Sequence, residues 1–135
     1  MSLFSAIGTA GSGIDAMQTW IDASGANVAN AEDQAPTSQG VYAEQTAEFA
    51  PVSSGLPGSP GGGVTVSVAV GSSAGMIESD PESPLADSKG DIRVSSVDLG
   101  NQLVQLIQAQ DGYQADSDVI SRATQAYQSG LTIGT

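Results

Sequence analysis

Along the first part of the chain, Leu3, Ile7, Ala10, Ile14, Met17, Ile21, Ser24, Val28 and Ala31 recur in alternating steps of four and three. That is the a/d spacing of a helical seam, with Ser24 its one polar break. The pattern predicts an axial helix within residues 1–31, about 45 Å long at 1.5 Å per residue. Gly8, Gly11, Gly13 and Gly25 fall inside it. Each costs about 1 kcal/mol against Ala in a helix, so the segment depends on packing for its stability.

A second seam closes the chain, within residues 98–135. Leu99, Leu103, Leu106, Tyr113, Ile120, Tyr127 and Leu131 share it with Gln110, Ser117 and Thr124. Val104, Ile107, Ala115, Val119, Ala123 and Ala126 widen the apolar surface. Asp98 is a good N-cap, and Gly130 and Gly134 are expected to mark the end.

Residues 32–97 read differently. They contain all six prolines and the run Gly61–Gly63. Val64, Val66, Val68 and Val70 alternate with small or polar residues, which predicts a strand with one apolar face. A weaker strand is expected from Val41 to Phe49, and a short one at Ile92–Val94 after a turn at Ser88–Gly90. The fold class that follows is mainly α with a small β insertion. Long N- and C-terminal helices pack as an antiparallel coiled-coil-like pair, with a short β-hairpin and loop region between them. The apolar stripes exceed what one helix pair can cover, which points to subunit packing. The alternative is a soluble helical-hairpin adaptor that binds a single helical partner.

Composition narrows the chemistry. Fifteen acidic side chains face only Lys89, Arg93 and Arg122, a net charge of −12 over 135 residues. Such a field repels nucleic acid and anionic membrane surfaces. With no Cys and no His, thiolate chemistry, Cys-based metal sites and the commonest general base are absent. Glu78, Asp80 and Glu82 lack the order of a calcium loop and read as a solvated acidic turn. Asp111 and Asp118 share a helix face without the enclosure a carboxylate pair needs. The glycines fit neither a dinucleotide fingerprint nor a phosphate loop. No catalytic, cofactor or metal site is expected. No apolar run is long enough to span a bilayer, and a cleaved signal peptide is not expected.

Asn27 and Asn30 lie three apart on one helix face. They read either as caps of the helix end or as a carboxamide pair that locks the following turn against a neighbour. The run Ala26-Asn27-Val28-Ala29-Asn30 resembles the N-terminal signature of bacterial flagellar rod and hook proteins. Ala35-Pro36, Gly40-Val41-Tyr42 and Phe49 resemble the stretch that follows it. Asp80 to Asp87, then Gly90, then Val97-Asp98 and Tyr113-Gln114-Ala115-Asp116 extend the likeness over nearly the whole chain, as does the ending Leu131-Thr132-Ile133-Gly134. The chain is most similar to the proximal-rod branch of the flagellar basal-body rod protein family. It departs from that pattern at Ala43, Glu44, Ser83, Asp111 and Asp116, mostly by losing positive or gaining negative charge.

The resemblance implies a structural, axial protein of the basal body, exported by the flagellum's own type III apparatus without a cleaved signal. Its partners would be other rod subunits, basal-body proteins and further copies of itself in a helical array. Together they would form the hollow drive shaft that carries torque from rotor to hook. The packing residues expected are Leu3, Ile7, Ile14, Met17, Ile21, Val28, Leu99, Leu103, Leu106, Tyr113, Ile120, Tyr127 and Leu131. Asn27, Asn30, Pro36, Tyr42, Tyr113 and Gln114 carry the family motif.

Overall fold

The computed structural model describes residues 2–53 and 62–133. Helix α1 (Leu3–Ala29) is followed by strands β1 (Gln34–Pro36), β2 (Gln45–Pro51), β3 (Val64–Val70), β4 (Met76–Ser79) and β5 (Asp91–Val94), and then by helix α2 (Leu99–Ile133). The two helices pack against each other as an antiparallel pair, and the β elements lie between them in sequence. The prolines at 57 and 60 and the first glycine of the 61–63 run fall outside the described residues, as do Met1 and Gly134.

Local chemistry sets the helix ends. The Ser2 hydroxyl accepts from Ser5 N at 3.1 Å, a side-chain N-cap for α1. At the other end the Asn30 amide donates to Ala26 O at 2.8 Å and stops the helix. Asp98 accepts from Asn101 N at 3.0 Å and starts α2. Gly130 does not end α2, contrary to expectation: the helix continues to Ile133. An isolated glycine weakens an exposed helix without obliging it to stop.

The seam inside the molecule also differs from the apolar stripe. The residues buried along α1 are Ala10, Gly13, Ala16, Ala23, Ser24 and Asn27, and along α2 Gln102, Ala109 and Ala123. Small residues dominate because the helix axes approach closely. A Cβ on Gly13 would run into the Asp116 carboxylate, and one on Gly112 would sit 2.7 Å from Met17 Sδ. Leu99, Leu103, Val104, Ile107 and Leu131, by contrast, remain exposed.

The β material forms two sheets. Antiparallel β2 and β3 pair from Gln45↔Val70 to Pro51↔Val64. This hairpin lies along α1. Val64 N donates to Ser12 Oγ at 3.1 Å, and Ser12 Oγ in turn donates to Thr9 O at 2.7 Å. Gly63, at φ +110°, leaves the room this contact needs, since a Cβ there would strike Ser12 Oγ. Further along, the Trp20 and Phe49 rings meet edge to face at 5.5 Å.

The Val64–Val70 strand stands as expected, although Val68 and Val70 open to solvent. The Val41–Phe49 expectation is displaced: the strand begins only at Gln45. Val41 N is taken by Ser73 O at 2.9 Å and Tyr42 N by Asp33 Oδ2 at 2.7 Å, so this stretch serves a loop instead of the ladder.

The second sheet has the order β1-β5-β4, both pairs antiparallel. Neither helix packs on it directly. Ala35, Val41 and Ile92 are buried in this part of the molecule. Gly90, at φ +84°, makes the turn into β5. Arg93 ties the sheet to its loops by donating to Thr37 O at 2.9 Å and to Ala74 O.

Candidate assembly surface

At the junction of α1, α2 and the loop before β2 sits a buried polar knot. Asn27 and Gln102 are both fully buried. Asn27 Nδ2 donates to Gln102 Oε1 at 2.9 Å and to Gln45 O at 2.7 Å. Its Oδ1 accepts from Gln45 N at 2.8 Å and from the Tyr42 hydroxyl at 3.0 Å. Gln102 Nε2 donates onward to Glu44 Oε1 at 2.7 Å. The carboxamide of Asn27 thus fills four bonds, both as donor and as acceptor, which no apolar or hydroxyl side chain of that size can do. Burial pushes the Tyr42 hydroxyl above its ordinary pKa, with the Glu44 charge adding to the effect. Asn30, by contrast, caps its own helix.

Within the chain, the two asparagines do different things. Asn27 locks the helix to the following loop within the chain, and Asn30 is a cap. Pro36 lies half-buried in β1, and Gln114 is exposed on α2. Gln102, Glu44 and Gln45 were not expected to take part. Their signal is faint but present: Gln102, Ala109, Asp116 and Ala123 recur every seven residues, a stripe of small and polar positions beside the apolar one.

Beside the helix seam, Gln18, Ile21, Gln110, Tyr113, Gln114, Ser117 and Asp118 line an open groove of about 450 Å³. Ile7, Ile14, Met17, Val28, Leu106 and Ile120 are half-buried, whereas Leu3, Leu99, Leu103, Tyr113, Tyr127 and Leu131 are exposed. No group of three or more potential metal ligands converges among the described residues. No helix among them is long and apolar enough to cross a membrane.

Two long terminal helices thus flank a small β insertion, and a buried asparagine joins them. A family profile described as flagellar basal body rod FlgEFG protein, C-terminal, matches residues 89–133. The flagellar basal-body rod protein FlgC of Yersinia enterocolitica is 32% identical over 136 residues, covering 99% of both chains. The FlgC protein of Borreliella burgdorferi is 30% identical with 98% of each chain covered, and that of Escherichia coli O6:H1 is 29% identical with 99% covered. The chain belongs to the flagellar basal-body rod protein FlgC family. It is a structural protein and not an enzyme.

Proposed function

We propose that this chain is a subunit of the proximal rod, built by helix packing into the hollow shaft that carries torque from rotor to hook. Its partners are other rod subunits, basal-body proteins and further copies in a helical array. It reaches them through the flagellar type III export apparatus, without a cleaved signal peptide. The observation that supports this reading is the division of labour along α2. Small and polar residues serve the internal seam, while Leu99, Leu103, Val104, Ile107 and Tyr113 stay exposed. A second apolar surface of that extent on a helix already packed once is what a neighbouring subunit buries.

The mechanism is mechanical. Sliding one helix past a neighbour exposes its stripe to water, and each Leu or Ile so exposed costs about 1.5–3 kcal/mol. Contacts of this kind, repeated heterologously around a cylinder, resist shear. The glycines of α1 weaken it in isolation, which suits a segment that travels unfolded and orders on assembly.

The test is Leu103→Asp or Ile107→Asp in cells lacking the native protein. The purified variants keep the wild-type circular dichroism, because both side chains are exposed. Rod assembly and swimming are lost. Normal swimming with both variants contradicts the proposal. A small closed complex with one helical partner, in place of a tubular array, favours the adaptor reading.

A further inference from the structure

The groove beside the helix seam is chemically one-sided. Among the polar groups that line it, Ser117, Gln18 and Asp118 are left with acceptors to fill. The Ser117 hydroxyl donates to Tyr113 O at 2.9 Å, so its oxygen can only accept. Gln18 Nε2 donates to Asp22 Oδ1 at 3.0 Å, and the Gln18 carbonyl oxygen has no donor among the described residues. The Asp118 carboxylate has neither a hydrogen bond nor an ion pair among them, and Arg122, one turn further along α2, does not pair with it. Beside these acceptors stand the Tyr113 ring, 38% exposed, and the half-buried Ile21 side chain.

Such a lining suits a cation that is rich in donors and has a flat face. A guanidinium offers five N–H donors in one plane, forks onto a carboxylate and lies against an aromatic ring. An ammonium offers three donors and no face. A groove of about 450 Å³ has room for one such side chain. A second copy of the chain is poorly equipped to supply it. Arg93 already donates to Thr37 O and Ala74 O. Lys89 stands between Asp87 and Asp91. Arg122 would bring its own Asp118, one turn away, towards the Asp118 of the groove, and like charges repel. A net charge of −12 on each copy adds to that repulsion.

We propose that this groove receives an arginine side chain from an unlike neighbouring subunit. The inference rests on the rod reading and names the chemistry of one neighbour. Both helices must be in place to form the groove, so it fills on assembly and not in the free chain.

The test is made in cells and on purified basal bodies. Gln114 lines the groove and is exposed, so p-benzoylphenylalanine is placed there. Cells are irradiated, basal bodies purified and the cross-linked peptide sequenced. The expected peptide comes from a different protein and carries an arginine within about one helical turn of the attachment point. Asp118→Arg is expected to abolish swimming, with circular dichroism of the purified chain unchanged because Asp118 is exposed. Exchanging the captured arginine for glutamate in the Asp118→Arg strain is expected to restore swimming. A peptide from a second copy, a peptide without arginine, or no product overturns the proposal. So does wild-type swimming by the Asp118→Arg strain, or no rescue by the charge exchange. Absence of the wild-type chain from purified basal bodies is instead the failure of the rod reading; with the chain present there, these results bear on the groove alone.

Discussion

The Asn27 amide donates to Gln102 Oε1 at 2.9 Å, and neither residue has any surface in contact with solvent. This one bond joins the C-terminal part of α1 to the start of α2. Through Gln45 and Tyr42 it also fixes where the hairpin departs. Replacing Asn27 by Ala leaves Gln102, Gln45 and Tyr42 with missing partners in a dry site. Each such loss costs about 1–3 kcal/mol. A net destabilisation of about 2–4 kcal/mol by urea unfolding is expected for Asn27→Ala. Asn27→Asp, which keeps the shape but loses the donor, is expected to be no better tolerated. A loss below about 0.5 kcal/mol contradicts the reading.

The glycines of α1 are not equivalent. A Cβ on Gly8 or Gly11 meets nothing within 4 Å. Gly8→Ala and Gly11→Ala are each expected to stabilise the chain by about 0.5–1 kcal/mol. Gly13→Ala collides with the Asp116 carboxylate and is expected to destabilise it despite the better propensity. Combining Gly13→Ala with Asp116→Ala relieves the collision, so a double-mutant cycle in urea reads the coupling directly.

Asp87 links stability to acid. Backbone N–H groups of Lys89 and Asp91 and the Thr37 hydroxyl all bond its carboxylate. Those bonds, the backbone ones foremost, hold its pKa below the ordinary carboxylate value. The folded chain therefore binds this proton more weakly than the unfolded chain. The contribution is present above the unfolded pKa and is lost as pH falls through the folded one. Asp87→Ala is expected to flatten that part of the stability-versus-pH curve. Carbon-detected titration of the Asp87 carboxyl checks the direction of the shift.

Trp20, the one tryptophan, touches the hairpin through Phe49 and α2 through an indole N–H bond to Gln105 Oε1 at 3.1 Å. Phe49→Ala is expected to change tryptophan emission and cost about 1–2 kcal/mol while helix content holds. Unchanged fluorescence would show that the hairpin is not seated on α1.

Both helices were legible because their apolar spacing is long and regular, and β3 because valine alternates without interruption. Strands β1 and β4 were not. Gln34–Pro36 and Met76–Ser79 are too short to show alternation, and pairing with β5 creates them. The internal seam was hidden for a different reason. Large apolar residues announce a surface that wants covering, whereas closely approaching helices select Ala, Gly and a single amide pair. Apolar spacing therefore located the outward stripe on α2 more readily than the inward one. Asn27 stood out by its spacing to Asn30, whereas Gln102 was marked only by the faint seven-residue stripe it shares with Ala109, Asp116 and Ala123, and Gln45 was set by tertiary geometry.

The three-stranded sheet rests on neither helix and is held through loop contacts such as those of Arg93 with Thr37 and Ala74. Force applied to it reaches the rigid pair by way of the connecting backbone near Asp33 and Ser95, which themselves share a bond at 2.9 Å. With no helix face packed on the sheet, the elbow is expected to yield to load before the shafts do.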